Sequence, residues 1–210
     1  MTIVYPRALP ALNKFKTSSW RSNDATTRIP SPFTGQSQVL VWPRQWWSCT
    51  MTLVSMLRAE EQAWSSWLRS GRGKSGTFLL GNPQRRTPLG SARLVPGTPL
   101  VKGGGQEGGY LAIDGLPLNA PDYLLAGDHI QLGSGAAARL HEVLENVATN
   151  GAGEATLTLW PELRESPADN APVIVSGAKG VFARTSDVVD VPSDTAGISN
   201  FSFDVEEVLA

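Results

Sequence analysis

The stretch that most constrains the fold is residues 37–54, SQVLVWPRQWWSCTMTLV. Trp47, Cys49, Met51 and Leu53 fall on one side of an extended chain, and Ser48, Thr50 and Thr52 fall on the other. That period of two belongs to a strand with one buried face. Pro43-Arg44 reads as the break between two strands of a hairpin, and residues 1–36, rich in Ser, Thr and Pro, read as an irregular arm before it. The alternation returns near the C-terminus in NFSFDVEEVL, where Phe201, Phe203 and Val205 alternate with Ser202, Asp204 and Glu206. Cys49 lies on the apolar face and reads as a core residue rather than a nucleophile. It is the single cysteine, so it can neither close an internal disulfide nor build a metal site by itself, which suits a reducing cytoplasm.

One stretch has a different period. In residues 56–70, MLRAEEQAWSSWLRS, Met56, Ala59, Ala63 and Trp67 form a helical stripe, with Leu57, Trp64 and Leu68 beside it. Ser55 is the expected N-cap, Glu60 and Glu61 lie toward the N-terminal end, Arg69 sits in the last turn, and Gly71 ends the helix. Trp64 and Trp67 have the spacing of core anchors rather than of a sugar- or base-stacking platform. The candidate anchors are therefore Trp47, Trp64, Trp67, Phe201 and Phe203.

The next residues, SGRGKSG at 70–76, look like a phosphate-cradling loop. That motif needs a glycine at position 68, where this chain has Leu68. It also runs from a strand into a helix, so that the helix N-terminus faces the anion. Here the order is helix first, then the strand TFLLG at 77–81. The glycines are read as a helix stop and a tight turn, and no nucleotide or other cofactor is expected.

Beyond NPQRRTPLG the chain changes character. VKGGGQEGGY at 101–110 is a flexible glycine-rich stretch, and short strands follow: YLAIDGL, DHIQLG, a hairpin pair at 140–148 and 154–160 around TNGAG, then APVIVS and GVFART. Turn signals at such short intervals, in a chain with 21 Gly and 15 Pro, indicate a small barrel or sandwich.

Catalytic constellations are sparse. His129 and His141 lie within or beside predicted strands without metal-ligand spacing, and G-x-S-x-G does not occur. Glu162 with Glu165, or Glu206 with Glu207, could face each other as carboxylate pairs for acid–base work. Loop carboxylates are usually solvated, and adjacent strand residues point to opposite faces. The expectation is a protein without catalytic residues. No apolar run resembles a signal peptide or a membrane span, so no membrane insertion is expected.

The net charge of −1 hides an asymmetry. Residues 1–106 carry fourteen Lys and Arg against Asp24, Glu60 and Glu61, a formal +11, and residues 107–210 carry −12. Such a split fits nucleic-acid contact by the basic half, charge-complementary contact between copies, or simple neutralisation within one fold. Arg69, Arg72, Lys74, Arg85 and Arg86 form the candidate assembly interface.

The order of these features resembles a known family. An aromatic hairpin, the helix ending WSSWLRSGRGKSG, the strand and turn TFLLGNP, then LAIDGLPLN, LLAGDHIQLG, LTLWPEL and FSFDVEEV are similar to distal tail proteins of long, flexible-tailed phages and gene-transfer particles. The resemblance runs from about residue 33 to the end. It implies a mainly β fold: a tail-tube-like β-sandwich with one flanking helix, formed by residues 1–88 with 185–210, whose hairpin contributes to a ring. Residues 89–184 would be an inserted OB-like or galectin-like β-barrel. It also implies a virion structural protein of the tail tip, assembled in the host cytoplasm as a homohexameric ring that joins the tail tube protein to the baseplate hub and receptor-binding parts. Glycan contact by the barrel stays open. The alternative is a nucleic-acid- or carbohydrate-binding β-barrel module, with the basic stretch and seven tryptophans as its groove. A cell-wall hydrolase has only the unassigned carboxylates in its favour.

Overall fold

A computed structural model describes residues 3–10, 15–192, 198–199 and 201–209. Strand makes up 43% of it and helix 11%, so the class is mainly β. The chain begins with β1 (Phe15–Pro30), β2 (Ser37–Leu53), β3 (Met56–Leu57), the helix α1 (Arg58–Ser70) and β4 (Thr77–Leu80). Six strands follow: β5 (Leu100–Val101), β6 (Gly108–Asp114), β7 (His129–Leu132), β8 (Arg139–Val143), β9 (Ala155–Leu163) and β10 (Val173–Ile174). The last elements are β11 (Gly180–Arg184), β12 (Ile198–Ser199) and β13 (Ser202–Glu207).

Five strands form one sheet in the order β1-β2-β13-β11-β4, and β5 to β10 form a second in the order β10-β7-β8-β9-β6-β5. The second sheet curls until its edges nearly meet. The Val101 N–H donates to the Ala171 carbonyl and the Val173 N–H to the Pro99 carbonyl, both at 2.9 Å. The result is a small barrel-like unit inserted between β4 and β11. The two units have separate cores, one around Met51, Leu53, Phe182 and Val205, the other around Leu111, Ile113, Tyr123, Ile130 and Leu157.

GVFART was expected to extend the barrel, yet β11 pairs with β4 (Phe182 opposite Phe78) and β13 (Ala183 opposite Glu206). Phe182 is fully buried in the core of the five-stranded sheet, which is what holds β11 there. The barrel strands thus span residues 100–174. At TNGAG, β8 stops at Val143, and Val147 instead bridges Leu124.

A larger difference concerns the hairpin. Residues 15–30, expected to be irregular, form β1, and Pro43 lies inside β2 rather than at a turn. The register shifts between Asp24 and Thr26, so β2 passes from Gln45 to Val41 while β1 advances by two residues. A bulge leaves backbone groups unpaired, which is where a proline without an N–H is tolerated.

The helix also starts later than its apolar stripe suggested. Met56 and Leu57 are drawn into a two-strand ladder with β12, so Leu57 takes the N-cap position and Ser55 does not. The buried face is Trp64, Ser65, Trp67 and Leu68, while Leu57, Ala59 and Ala63 are exposed. Trp64 meets Trp67 edge-on at 5.8 Å, and Trp67 meets Phe78 at 5.1 Å. Each such ring removes roughly 150–250 Å² from water, on the order of 4–6 kcal/mol before entropy. The N-terminal segment supports the far end of the helix: Tyr5 Oη donates to the Ser70 carbonyl at 2.8 Å, and Arg7 Nη1 to the Trp67 carbonyl at 3.3 Å. Both satisfy orphan carbonyls where a cation is favoured.

Candidate functional site

β1 and β2 outrun their sheet. β13 pairs with β2 only from Ser48 to Thr52, whereas β1 and β2 stay paired to Pro30 and Ser37. Past the bulge the hairpin stands alone, and every residue from Thr26 to Arg44 except Ser31 is exposed. The Ser31–Gln36 turn is closed by Ser31 N–H to the Gln36 carbonyl (2.7 Å) and Gly35 N–H to the Ser31 carbonyl (3.1 Å). Gly35 supplies the positive φ of 70° that this turn needs. Phe33 stands at the tip, 94% exposed.

Both faces of this arm carry apolar side chains. Val39 and Val41 lie across from Arg28 and Thr26 on one face; Leu40 lies across from Thr27 on the other, which also carries Ile29. Trp42 joins that second face, its Nε1 donating to Thr27 Oγ1 at 3.4 Å. A lone two-stranded hairpin is marginal in water, and each face of this one mixes apolar side chains with polar ones. β1 is also a sheet edge, with no strand on its other side among the described residues. The opposite edge is covered: Arg7 N–H donates to the Thr77 carbonyl and Leu79 N–H to the Arg7 carbonyl, both at 2.9 Å.

The arm is anchored where it leaves the sheet. Asp24 Oδ1 accepts from Gln45 Nε2 (2.9 Å) and from Trp160 Nε1 (3.0 Å) on β9. Gln45 Oε1 accepts the Glu162 N–H at 2.8 Å, and the Gln45 carbonyl accepts Arg164 Nη2 at 2.6 Å. Arg164 then makes a two-pronged bond to Glu207, Nη1 to Oε1 at 3.0 Å and Nη2 to Oε2 at 2.9 Å. The Glu207 side chain is 1% exposed and also accepts the Trp47 N–H at 3.2 Å. Beside this junction opens a cavity of about 430 Å³, lined by Val41, Trp42, Arg44, Glu162 and Leu209 among others.

The basic residues singled out from the sequence separate into two places. Arg69, Arg72 and Lys74 are exposed at the C-terminal end of α1 and the turn after it. Arg85 and Arg86 follow the other end of β4. Arg85 is committed within the chain: its Nη1 contacts Glu142 Oε1 at 2.9 Å and donates to the Gly127 carbonyl at 2.8 Å. It thus ties the segment after β4 to the barrel while its side chain stays 43% exposed. The Arg86 carbonyl accepts from Gly177 N–H at 2.5 Å. In the SGRGKSG turn the Lys74 N–H donates to Asp187 Oδ1 at 3.1 Å, so a carboxylate already occupies an amide that a phosphate would use.

The five candidate anchors are all buried in the core of the five-stranded sheet. Trp47 does more than fill it: its Nε1 donates to the Leu140 carbonyl at 3.1 Å and its ring meets Trp160 edge-on at 4.5 Å. Both histidines are buried at this junction. His141 Nδ1 lies 2.7 Å from the Pro161 carbonyl, and burial pulls its pKa down to about 4. Burial alone would raise the Glu142 carboxyl, but hydrogen bonds from His129 and Arg85, with the Arg85 charge, hold it below its usual value. Burial pushes the Cys49 thiol up to about 12, so it stays protonated and inert. Of the carboxylate pairs, Glu206 is exposed and Glu207 buried on opposite faces of β13. Among the described residues no group of His, Cys, Asp and Glu is arranged to hold a metal ion, and no helix is long and apolar enough to cross a membrane.

The arm itself was missed in the sequence. Its signal was present: TTRIP and QVLVW flank SPFTG, a Pro/Gly turn between two β-rich runs. No protein-family model matches the chain, and no curated protein matches it in sequence.

Proposed function

We propose that this chain is a structural subunit that self-associates into a ring at the tip of a phage tail, joining the tail tube to the baseplate hub and receptor-binding parts. The observation that carries the reading is the projecting hairpin. It exposes Ile29, Phe33, Val39, Leu40, Val41 and Trp42 together, beside a sixteen-residue edge strand. Exposed apolar side chains on both faces and the tip of one projecting element favour an interaction site, and a long open edge is a template for another chain. A six-fold ring, residence in the virion and the absence of catalysis come from the resemblance to distal tail proteins. Arg69, Arg72, Lys74, Arg85 and Arg86 are exposed cations available to a tube or neighbouring subunit, Arg85 being already paired with Glu142. The test is native mass spectrometry and electron microscopy of the purified chain, beside a variant in which Thr26–Trp42 is replaced by a short Asn-Gly turn. The parent should form a closed oligomer and the shortened chain a folded monomer. A parent that stays monomeric at every concentration while binding an oligonucleotide or glycan would instead support the binding-module reading.

A further inference from the structure

Three stretches of the chain carry no acidic residue: 1–23, 62–106 and 170–186. The fold brings them together around one cavity of about 300 Å³. Leu9 reaches it from the strip that covers β4, Phe15 from the start of β1, Leu79 from β4, Arg86 from the turn after β4, and Lys179 from the approach to β11. Every described residue of its lining belongs to those stretches, so the cavity has two cations and no carboxylate in its walls.

Neither cation is used up inside the chain. Arg86 and Lys179 are exposed, and neither enters an ion pair among the described residues. Their backbones are fixed all the same: the Arg86 carbonyl accepts the Gly177 N–H at 2.5 Å, and the Lys179 N–H donates to Gln131 Oε1 at 2.9 Å. Leu9, Phe15 and Leu79 are only half-buried, and the Phe15 ring is braced by Trp64, edge-on at 5.8 Å. The volume is at the small end of cavities that take up an organic ligand, roughly 300–1,000 Å³. Apolar walls favour a hydrocarbon stem, and two uncompensated cations raise the local concentration of anions. We propose that this cavity binds a small apolar carboxylate, its stem against Phe15 and Leu79 and its carboxylate between Arg86 and Lys179. The site shares no residue with the arm and does not depend on assembly.

Hexanoate, hexanol and hexylammonium, titrated separately into the purified chain, isolate the two contributions. Hexanoate should bind with a Kd on the order of 1 mM and shift the amide signals of Gly81 and Gly177, which line the cavity. Hexanol should bind about tenfold more weakly, having lost two partly exposed ion pairs, and hexylammonium should be weaker still. Butyrate, two methylenes shorter, should also lose about tenfold. Arg86→Gln combined with Lys179→Gln should bring hexanoate down to the level of hexanol without changing the melting temperature. Added salt should weaken hexanoate but not hexanol in the parent chain, a check that needs no variant. Equal binding of hexanoate and hexanol, or a hexanoate affinity untouched by salt and by the double substitution, would overturn the carboxylate assignment. Amide shifts confined to other parts of the chain, or no binding of any of these compounds, would overturn the site.

Discussion

Removing the Arg164 guanidinium tests whether the barrel and the arm are held by one polar junction. Arg164→Met keeps an unbranched apolar stem and deletes both donors to Glu207 and the donor to the Gln45 carbonyl. The Glu207 carboxylate, 1% exposed, would keep only the Trp47 N–H as a partner. Breaking a buried ion pair from one side costs about 3–5 kcal/mol, because the remaining charge stays buried without compensation. The Arg164 side chain is 23% exposed, so water reaches the fork, and the expected loss is near the lower end, about 3 kcal/mol. Glu207→Gln, which keeps the shape and removes the charge, should be milder alone. Combined with Arg164→Met it should cost less than the two singles added, with a coupling of about 2 kcal/mol. Urea denaturation reads this as a lower midpoint with an unchanged slope. Hydrogen exchange at the Glu162 amide, bonded to Gln45, should quicken as the arm base loosens. A loss below about 1 kcal/mol with no coupling would mean the pair behaves like a solvated surface bridge, and the junction argument would fail.

Two other outcomes follow from the cores. Trp67 is 8% exposed and its Nε1 donates to the Ala8 carbonyl at 2.9 Å. Trp67→Ala should therefore cost about 3–5 kcal/mol and also free the strip that covers β4, seen as faster exchange of the Leu79 amide; an unchanged melting temperature would refute its core role. His141 is held neutral, its pKa lowered from 6.5 to about 4 by burial. Between those values the unfolded chain binds the extra proton, so this contribution is whole above about pH 6.5 and is lost as pH falls toward 4, by roughly 3 kcal/mol at most. A His141→Gln variant should have a flatter stability profile over that window, and an equally steep one would refute the assignment.

What was legible in the sequence was whatever depends on local period. The alternation Trp47-Cys49-Met51-Leu53 and that of Phe201-Phe203-Val205 both describe real strand faces, and both bury the residues expected. The helix was legible as an element but not in its phase. Counting from Met56 assumes the helix begins there, and only the pairing of Met56 and Leu57 with β12 shows that it does not. The placement of β11 was illegible for the same reason. Nothing local in GVFAR says whether its partners are the neighbouring barrel strands or β4, a hundred residues earlier. The arm was lost to a rule applied too strongly: proline marks a turn unless the strand is bulged at that position, and Pro43 sits at such a bulge. Reading Pro43 as the turn made the true turn, SPFTG, look like part of an irregular leader.

The charge asymmetry shows how chain order and spatial order part company. Divided along the sequence, the halves carry +11 and −12, which suggests two opposed charged bodies. Antiparallel pairing undoes that division, because β13, from the acidic half, lies between β2 and β11. Arg21 then donates to Thr50 Oγ1 at 3.1 Å, and Thr50 in turn to Asp204 Oδ1 at 2.6 Å. Arg85 pairs with Glu142 and Lys102 with Glu154, at 2.9 and 2.8 Å, so both bridges join the basic half to the acidic one. Part of the apparent dipole is therefore met inside one copy, within the sheet, within the barrel, and between Arg85 and the barrel strand β8. The arm adds an apolar surface of its own, with Ile29, Phe33, Val39, Leu40, Val41 and Trp42 all exposed. If copies associate as proposed, exposed charges would set encounter rate and register, and burial of the arm's apolar side chains would supply the driving force.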